Sequence, residues 1–148
     1  MKIKVANIIE DGRMAGPQFR IAEIAKTLNS KKNIGASGKI SGTEERQHMI
    51  ETTVLLPFED SGQFKEHLER YNVSYKQLAL HRLTWEEKYL IAYVLFLPYD
   101  LWLIYKFLKN HRFDIIHVSG GAWQWKGAVA GKVAGCKVLW HLNDTGMP

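Results

Sequence analysis

The sequence predicts an α/β fold: a doubly wound, mostly parallel sheet covered by helices. Three observations predict it. Short apolar, β-branched segments alternate with segments of helical period, and glycine-containing turns follow two of the strands. The stretch from Asp114 to Trp140 reads strand, turn, helix, strand, with connections so short that the two strands should run parallel through a right-handed crossover.

Taken in order, Ile3 to Ile9 is a β-branched run and forms the first strand. Glu10 to Gly16 is a turn, and Pro17 suits the first turn of a helix on which Ile21, Ile24, Ala25 and Leu28 recur at helical spacing. Asn29 to Thr43 is rich in Lys, Ser, Gly and Asn without periodicity, which predicts a flexible, exposed loop over about 29–46. Thr52 to Leu56 reads as the second strand, stopped by Pro57, and Gln63 to Tyr71 as a short polar helix. Val73-Ser74-Tyr75 opens a third strand.

From Trp85 to Leu108 the positions Leu90, Tyr93, Val94, Leu97, Leu101, Ile104 and Leu108 keep a helical period. Pro98 within it predicts two helices or one bent one. The other face carries Phe96, Tyr99, Trp102 and Tyr105, with Lys106, Lys109, His111 and Arg112 at its end. That face reads either as packed core or as a basic, aromatic surface lying on an anionic membrane. Asp114 to Val118 is a strand, Ser119-Gly120-Gly121 a flexible turn, Gly127 to Ala134 a helix of small residues, and Lys137 to Trp140 the last strand.

At 148 residues the chain has the length of one domain. A hydrophobic fraction of 46% against 24% charged is enough to bury a core, so disorder throughout is excluded. The net charge of +5 favours anionic partners. The basic residues are dispersed and carry no nucleic-acid-binding signature, so no nucleic acid is expected. A single cysteine, Cys136, permits neither an internal disulfide nor a cysteine zinc cluster, and the six histidines lack metal-ligand spacing. No metal and no cofactor are expected. The N-terminal apolar run ends at Glu10-Asp11 without a cleavage site, and Pro98, Asp100 and Lys106 interrupt Tyr89 to Leu108. Neither a signal peptide nor a transmembrane helix is expected, and the chain is placed in the cytoplasm.

In doubly wound sheets ligands sit beyond the carboxyl ends of the strands. Three places qualify: the turn at Gly12 to Gly16, the turn at Ser119 to Gly121, and the tail His141-Leu142-Asn143-Asp144-Thr145. At the first, Gly16 opens the backbone to a ligand, unpaired helix N–H groups favour phosphate, and Gln18 and Arg20 add side-chain donors. Neither G-x-G-x-x-G nor a P-loop is present. His141 leaves the last strand at the sheet edge with Asn143 and Asp144 beside it, and reads either as a ligand-facing residue that Asp144 could orient or as a satisfied buried histidine. His117, inside its strand, reads as a packed residue. Ser119 and Gly120 lie on the second turn, but Ser119-Gly120-Gly121 is not the G-x-S-x-G of a hydrolase.

The stretches Ala15-Gly16-Pro17-Gln18-Phe19-Arg20-Ile21, Asp114-Ile115-Ile116-His117-Val118 and Val138-Leu139-Trp140-His141-Leu142-Asn143-Asp144-Thr145 resemble, in order and spacing, the N-terminal domain of glycosyltransferase family 4. These are retaining enzymes of the GT-B fold, whose halves are Rossmann-like. The resemblance implies the acceptor-binding part of a nucleotide-sugar-dependent transferase of the hexosyltransferase type, in bacterial polysaccharide or glycolipid synthesis. The nucleotide sugar is substrate and the second partner is a glycan or lipid-linked acceptor; attachment to the inner face of the membrane stays open as the alternative to a wholly cytoplasmic placement. Gly16 matches the turn that approaches the donor diphosphate, and His141 matches the histidine facing the transferred sugar, the candidate catalytic residue. Ala15 stands where the family usually has the first of two glycines. The nucleotide is held by a C-terminal donor domain in that family, so 1–148 is expected to be a single, incomplete domain that is inactive alone. The alternative is a non-catalytic α/β binding subunit or membrane-associated interaction module.

Overall fold

The computed structural model describes residues 2–34, 49–84 and 86–144. Its elements are β1 (Lys2–Ile8), α1 (Gly16–Ile34), β2 (Met49–Pro57), α2 (Gly62–Arg70), β3 (Tyr75–Leu78), α3 (Glu87–His111), β4 (Ile115–Gly121), α4 (Lys126–Ala134) and β5 (Lys137–Asp144). The strands form one sheet in the order β3-β2-β1-β4-β5, and every neighbouring pair is parallel. The expected mostly parallel sheet is therefore wholly parallel.

Alternation along the strands sorts the core into two layers. Ala6, Ile8, Ile116 and Val118 face Ile104 and Leu108 of α3 and Ala130 and Ala134 of α4. Ile9, Val54 and Leu56 pack with Ile21, Ala22 and Ala25 of α1 and Phe64 and Leu68 of α2. The chain winds outward from β1 to β2 and β3, then returns to place β4 against the other side of β1. The segments after β1 and β4 diverge at this reversal and leave a crevice between them.

Four features differ from the sequence reading. Helix α1 continues to Ile34 and takes in residues 29–34 of the expected loop, while 35–46 lie outside the described residues. Strand β3 begins at Tyr75, because the Val73 N–H is engaged by the carbonyl of Leu68 at the end of α2 (2.9 Å). Strands β4 and β5 run on through the expected turn and tail, since pairing Ser119 with His141 and Gly120 with Leu142 satisfies both backbones.

The fourth difference is α3, a single helix of 25 residues across Pro98. Proline removes the bond to the carbonyl four residues back, that of Val94, and Val94 is 60% exposed, so water can take it. Contrary to expectation, this helix is long and apolar enough to cross a membrane by length and composition. Its buried residues are Tyr93, Asp100, Ile104 and Leu108, whereas Leu90 and Val94, expected inside, are exposed. Leu95 (71% exposed), Phe96, Tyr99 and Trp102 (50% exposed) extend this bare apolar stripe.

The two sheet edges differ as well. Strand β3 is four residues long and carries Lys76 and Gln77. Strand β5 is eight residues long and leaves Val138, Leu139, Trp140 and Leu142 exposed.

Candidate functional site

The crevice at the reversal is a cleft of about 420 Å³, lined among others by Asp11, Arg13, Pro17, Gln18, Gly120 and Trp123. Its first wall is the segment between β1 and α1. There the Arg13 backbone N–H and Nε donate to Asp11 Oδ1 (both 3.0 Å), and Arg13 Nη2 donates to Asp11 Oδ2 (2.5 Å). Burial pushes the Asp11 carboxyl up, but these charge-assisted bonds outweigh it and hold the group below its ordinary value. Gln18, 3% exposed, reaches back across the same segment, its Nε2 donating to the Asp11 carbonyl (2.7 Å). Its Oε1 is buried with no partner among the described residues. One of the two Gln18 amide N–H donors is thus committed to the first wall of the cleft.

The second wall follows β4. Gly120 has φ of 155°, and a Cβ there would collide with the Gln124 amide. That amide is held in place because its Oε1 accepts the Glu10 N–H (3.1 Å). The glycine is thus needed for its backbone conformation and for the approach of Gln124. Gly16 differs, since a Cβ on it would meet nothing within 4 Å and no special backbone angle requires it. It opens the first turn of α1 to solvent.

Beneath the cleft lies a charged cluster with no counterpart in the sequence reading. Lys126, the first residue of α4, is wholly buried, and its Nζ donates to Asp100 Oδ2 (2.8 Å) and to the His81 carbonyl. Glu10 Oε2 is 3.5 Å from the same Nζ, and Glu10 Oε1 accepts the Gly127 N–H (3.3 Å). Asp100 also accepts from His81 N (2.9 Å). Burial raises the Glu10 carboxyl to about 7; Lys126 and the Gly127 N–H pull it down without cancelling the effect. A lysine opening a helix opposes the macrodipole, and that anomaly was the available sequence signal.

A polar row crosses the α1 face of the sheet. Asn7 Nδ2 donates to Thr52 Oγ1 (2.6 Å), and His117 Nδ1 lies 3.0 Å from Asn7 Oδ1. His117 is buried, as its position inside the strand predicts, and burial, with His141 and Arg20 nearby, lowers its pKa. The His117 and His141 rings are 6.2 Å apart between centroids. His141 lies within β5, opposite Ser119, so it does not emerge beyond the strand end as expected. Arg20 Nη1 is 2.9 Å from His141 Nε2. Ser119 is fully buried in β4. Asn143 and Asp144 belong to the backbone of β5, but their side chains, and Thr145, lie outside the described residues.

The structure thus brings Gln18 and Gly120 to the cleft, pairs Arg20 with His141 on the neighbouring strand, buries Ser119, and leaves Gly16 at the open start of α1. Sequence reasoning missed Asp11, Arg13, Trp123 and the cluster around Lys126. Among the described residues no three His, Cys, Asp or Glu side chains are grouped to hold a metal.

No protein-family model matches the chain, and no curated protein matches it significantly. Solved structures do. MurG of Acinetobacter baumannii superposes with a TM-score of 0.65 at 15% identity, over 95% of this chain and 35% of its own. Anabaena Alr3699/HepE, solved with UDP and glucose, gives 0.57 at 18% identity, over 94% and 29%. The UDP-GlcNAc 2-epimerase of Neisseria meningitidis, bound to UDP-GlcNAc, gives 0.57 at 8% identity, over 93% and 32%. The fold is that of a Rossmann-like half of a GT-B protein. The chain spans about a third of the length of these GT-B neighbours. A glycosyltransferase from Rickettsia africae (TM-score 0.59, 14% identity, 94% of this chain and 29% of its own) stands beside the epimerase among the matches, so the likeness extends to the scaffold and not to one reaction.

Proposed function

We propose that the chain is the acceptor-binding N-terminal part of a nucleotide-sugar-dependent glycosyltransferase, of the family 4 type, acting in bacterial polysaccharide or glycolipid synthesis. The observation that carries this reading is the cleft at the sheet reversal, with Gln18 and Gly120 on its walls and the Arg20–His141 pair on the same helix and adjoining strand. The UDP and UDP-sugar named for two GT-B neighbours support a nucleotide sugar as donor. In this role the open start of α1 at Gly16 meets the donor diphosphate, and His141 positions a sugar oxygen as charge develops. Neither role needs a nucleophile from this chain.

A GT-B donor domain completes the active site, so the chain alone should transfer no measurable sugar from UDP-glucose or UDP-GlcNAc. Robust turnover by the purified chain would overturn the acceptor-side assignment. In a form joined to a donor domain, His141→Ala should lower transfer with the fold intact; unchanged turnover would remove His141 from the site. The β5 edge, without a further partner strand among the described residues, favours one alternative, a non-catalytic subunit that docks on a separate partner.

The bare stripe of α3 favours a second feature of the same reading, attachment to the cytoplasmic face of an anionic membrane. Lys106 stands over the Trp102 ring (4.6 Å), and Lys109, His111 and Arg112 follow at the helix end. Flotation with anionic vesicles tests it, and absence of binding at low salt would sink it.

A further inference from the structure

We propose that Arg20 fixes the tautomer of His141, so that this histidine offers its ligand an Nδ1–H donor and cannot act as a base through Nε2. The inference rests on the reading of His141 as a ligand-facing residue and specifies what that residue presents.

The two nitrogens of a neutral imidazole are not equivalent: one carries the proton and the other a lone pair, and the hydrogen bond made by one decides the state of the other. Arg20 Nη1 lies 2.9 Å from His141 Nε2. A guanidinium stays protonated and has only donors, so Nε2 must accept, and the imidazole proton resides on Nδ1. The contact joins α1 to β5 across 121 residues of sequence and sets the ring on the α1 face of the sheet. His117, next in the row, obeys the same rule from the other side: its Nδ1–H donates to Asn7 Oδ1, and Asn7 is tied in turn to Thr52.

The chemical consequence is selective. An Nδ1–H beside a fixed positive charge suits an oxygen with lone pairs or growing negative charge, such as a sugar or phosphoryl oxygen, and does not suit removal of a proton from an attacking hydroxyl. Arg20 is accordingly a positioning residue that acts through His141.

Long-range proton–nitrogen correlation spectra of the ¹⁵N-labelled chain, at a pH high enough to keep imidazoles neutral, read the tautomer directly and without ligand. Wild-type His141 should show a protonated Nδ1 and a bare Nε2. Arg20→Met should invert that ratio toward the Nε2–H form, and Arg20→Lys, which keeps a donor, should restore it. Arg20 is exposed, so these variants should keep the wild-type amide spectrum elsewhere. A wild-type His141 already protonated on Nε2, or a ratio that Arg20→Met leaves unmoved, would overturn the proposal. The tautomer result is independent of sugar transfer, so the two readings fail separately.

Discussion

Lys126 Nζ lies 2.8 Å from Asp100 Oδ2, and neither side chain retains any exposure to solvent. The pair bolts α4 to α3 directly under the cleft, with Glu10 as a third member from the end of β1. Removing the cation leaves two buried carboxyl groups with only the N–H donors of His81 and Gly127 to compensate them. Lys126→Met should therefore destabilise the fold by about 3–5 kcal/mol, read as a lower midpoint in urea unfolding. A loss below about 1 kcal/mol would mean that water reaches the cluster.

Glu10 makes stability depend on pH in an unusual direction. The unfolded carboxyl loses its proton near the ordinary value of 4.5, the folded one near 7. Between these values the folded state holds a proton that the unfolded state has released, so stability is greatest below the window, declines through it, and levels off above about 7. Glu10→Gln should flatten that decline in thermal melts across the same range. An equally steep slope in the variant would assign the effect to another group.

Gly120 and Gly16 should respond oppositely to alanine. Gly120→Ala strains a φ of 155° and displaces the Gln124 amide, costing roughly 1–3 kcal/mol. Gly16→Ala adds a methyl group to open space and should stay within about 0.5 kcal/mol of wild type. Melting temperatures of the two variants distinguish them, and equal losses would contradict the geometry of the second wall.

The stripe on α3 should be separable from folding. Leu95→Ser and Trp102→Ser remove exposed apolar surface and should leave the melting temperature nearly unchanged. Each should weaken partitioning onto anionic vesicles by roughly tenfold if the side chain inserts. Binding that survives both substitutions would place the contact elsewhere on the molecule.

The doubly wound sheet was legible because its signals are local: β-branched runs, helical periods and the short crossover from β4 to β5. What escaped depends on distance along the chain. Ser119-Gly120-Gly121 has the composition of a turn, yet pairing with residues beyond Trp140 makes it strand. Pro98 reads as a break, yet it falls on the solvent side of α3, where a lost bond costs little. Asp100 reads as an interruption of an apolar run, and its partner Lys126 lies 26 residues on. In the candidate site, Arg20 and His141 were each visible from their place after a strand or on the first helix, but their contact spans 121 residues and has no local signature. Gln18 was visible as a polar side chain on the first helix, but nothing in the sequence shows that one of its amide N–H donors reaches back to the Asp11 carbonyl.

Among the described residues β5 is an eight-residue edge strand with Val138, Leu139, Trp140 and Leu142 exposed, and this has a practical consequence. Unpaired backbone groups on a long strand without proline or a central charge are a template for any other extended chain, and Leu139 at 59% exposure gives such an encounter a greasy foothold. Handled alone at high concentration, the protein should behave as an adhesive ribbon on one side and an inert one on the other. Leu139→Lys should then slow concentration-dependent association of the chain, read by light scattering.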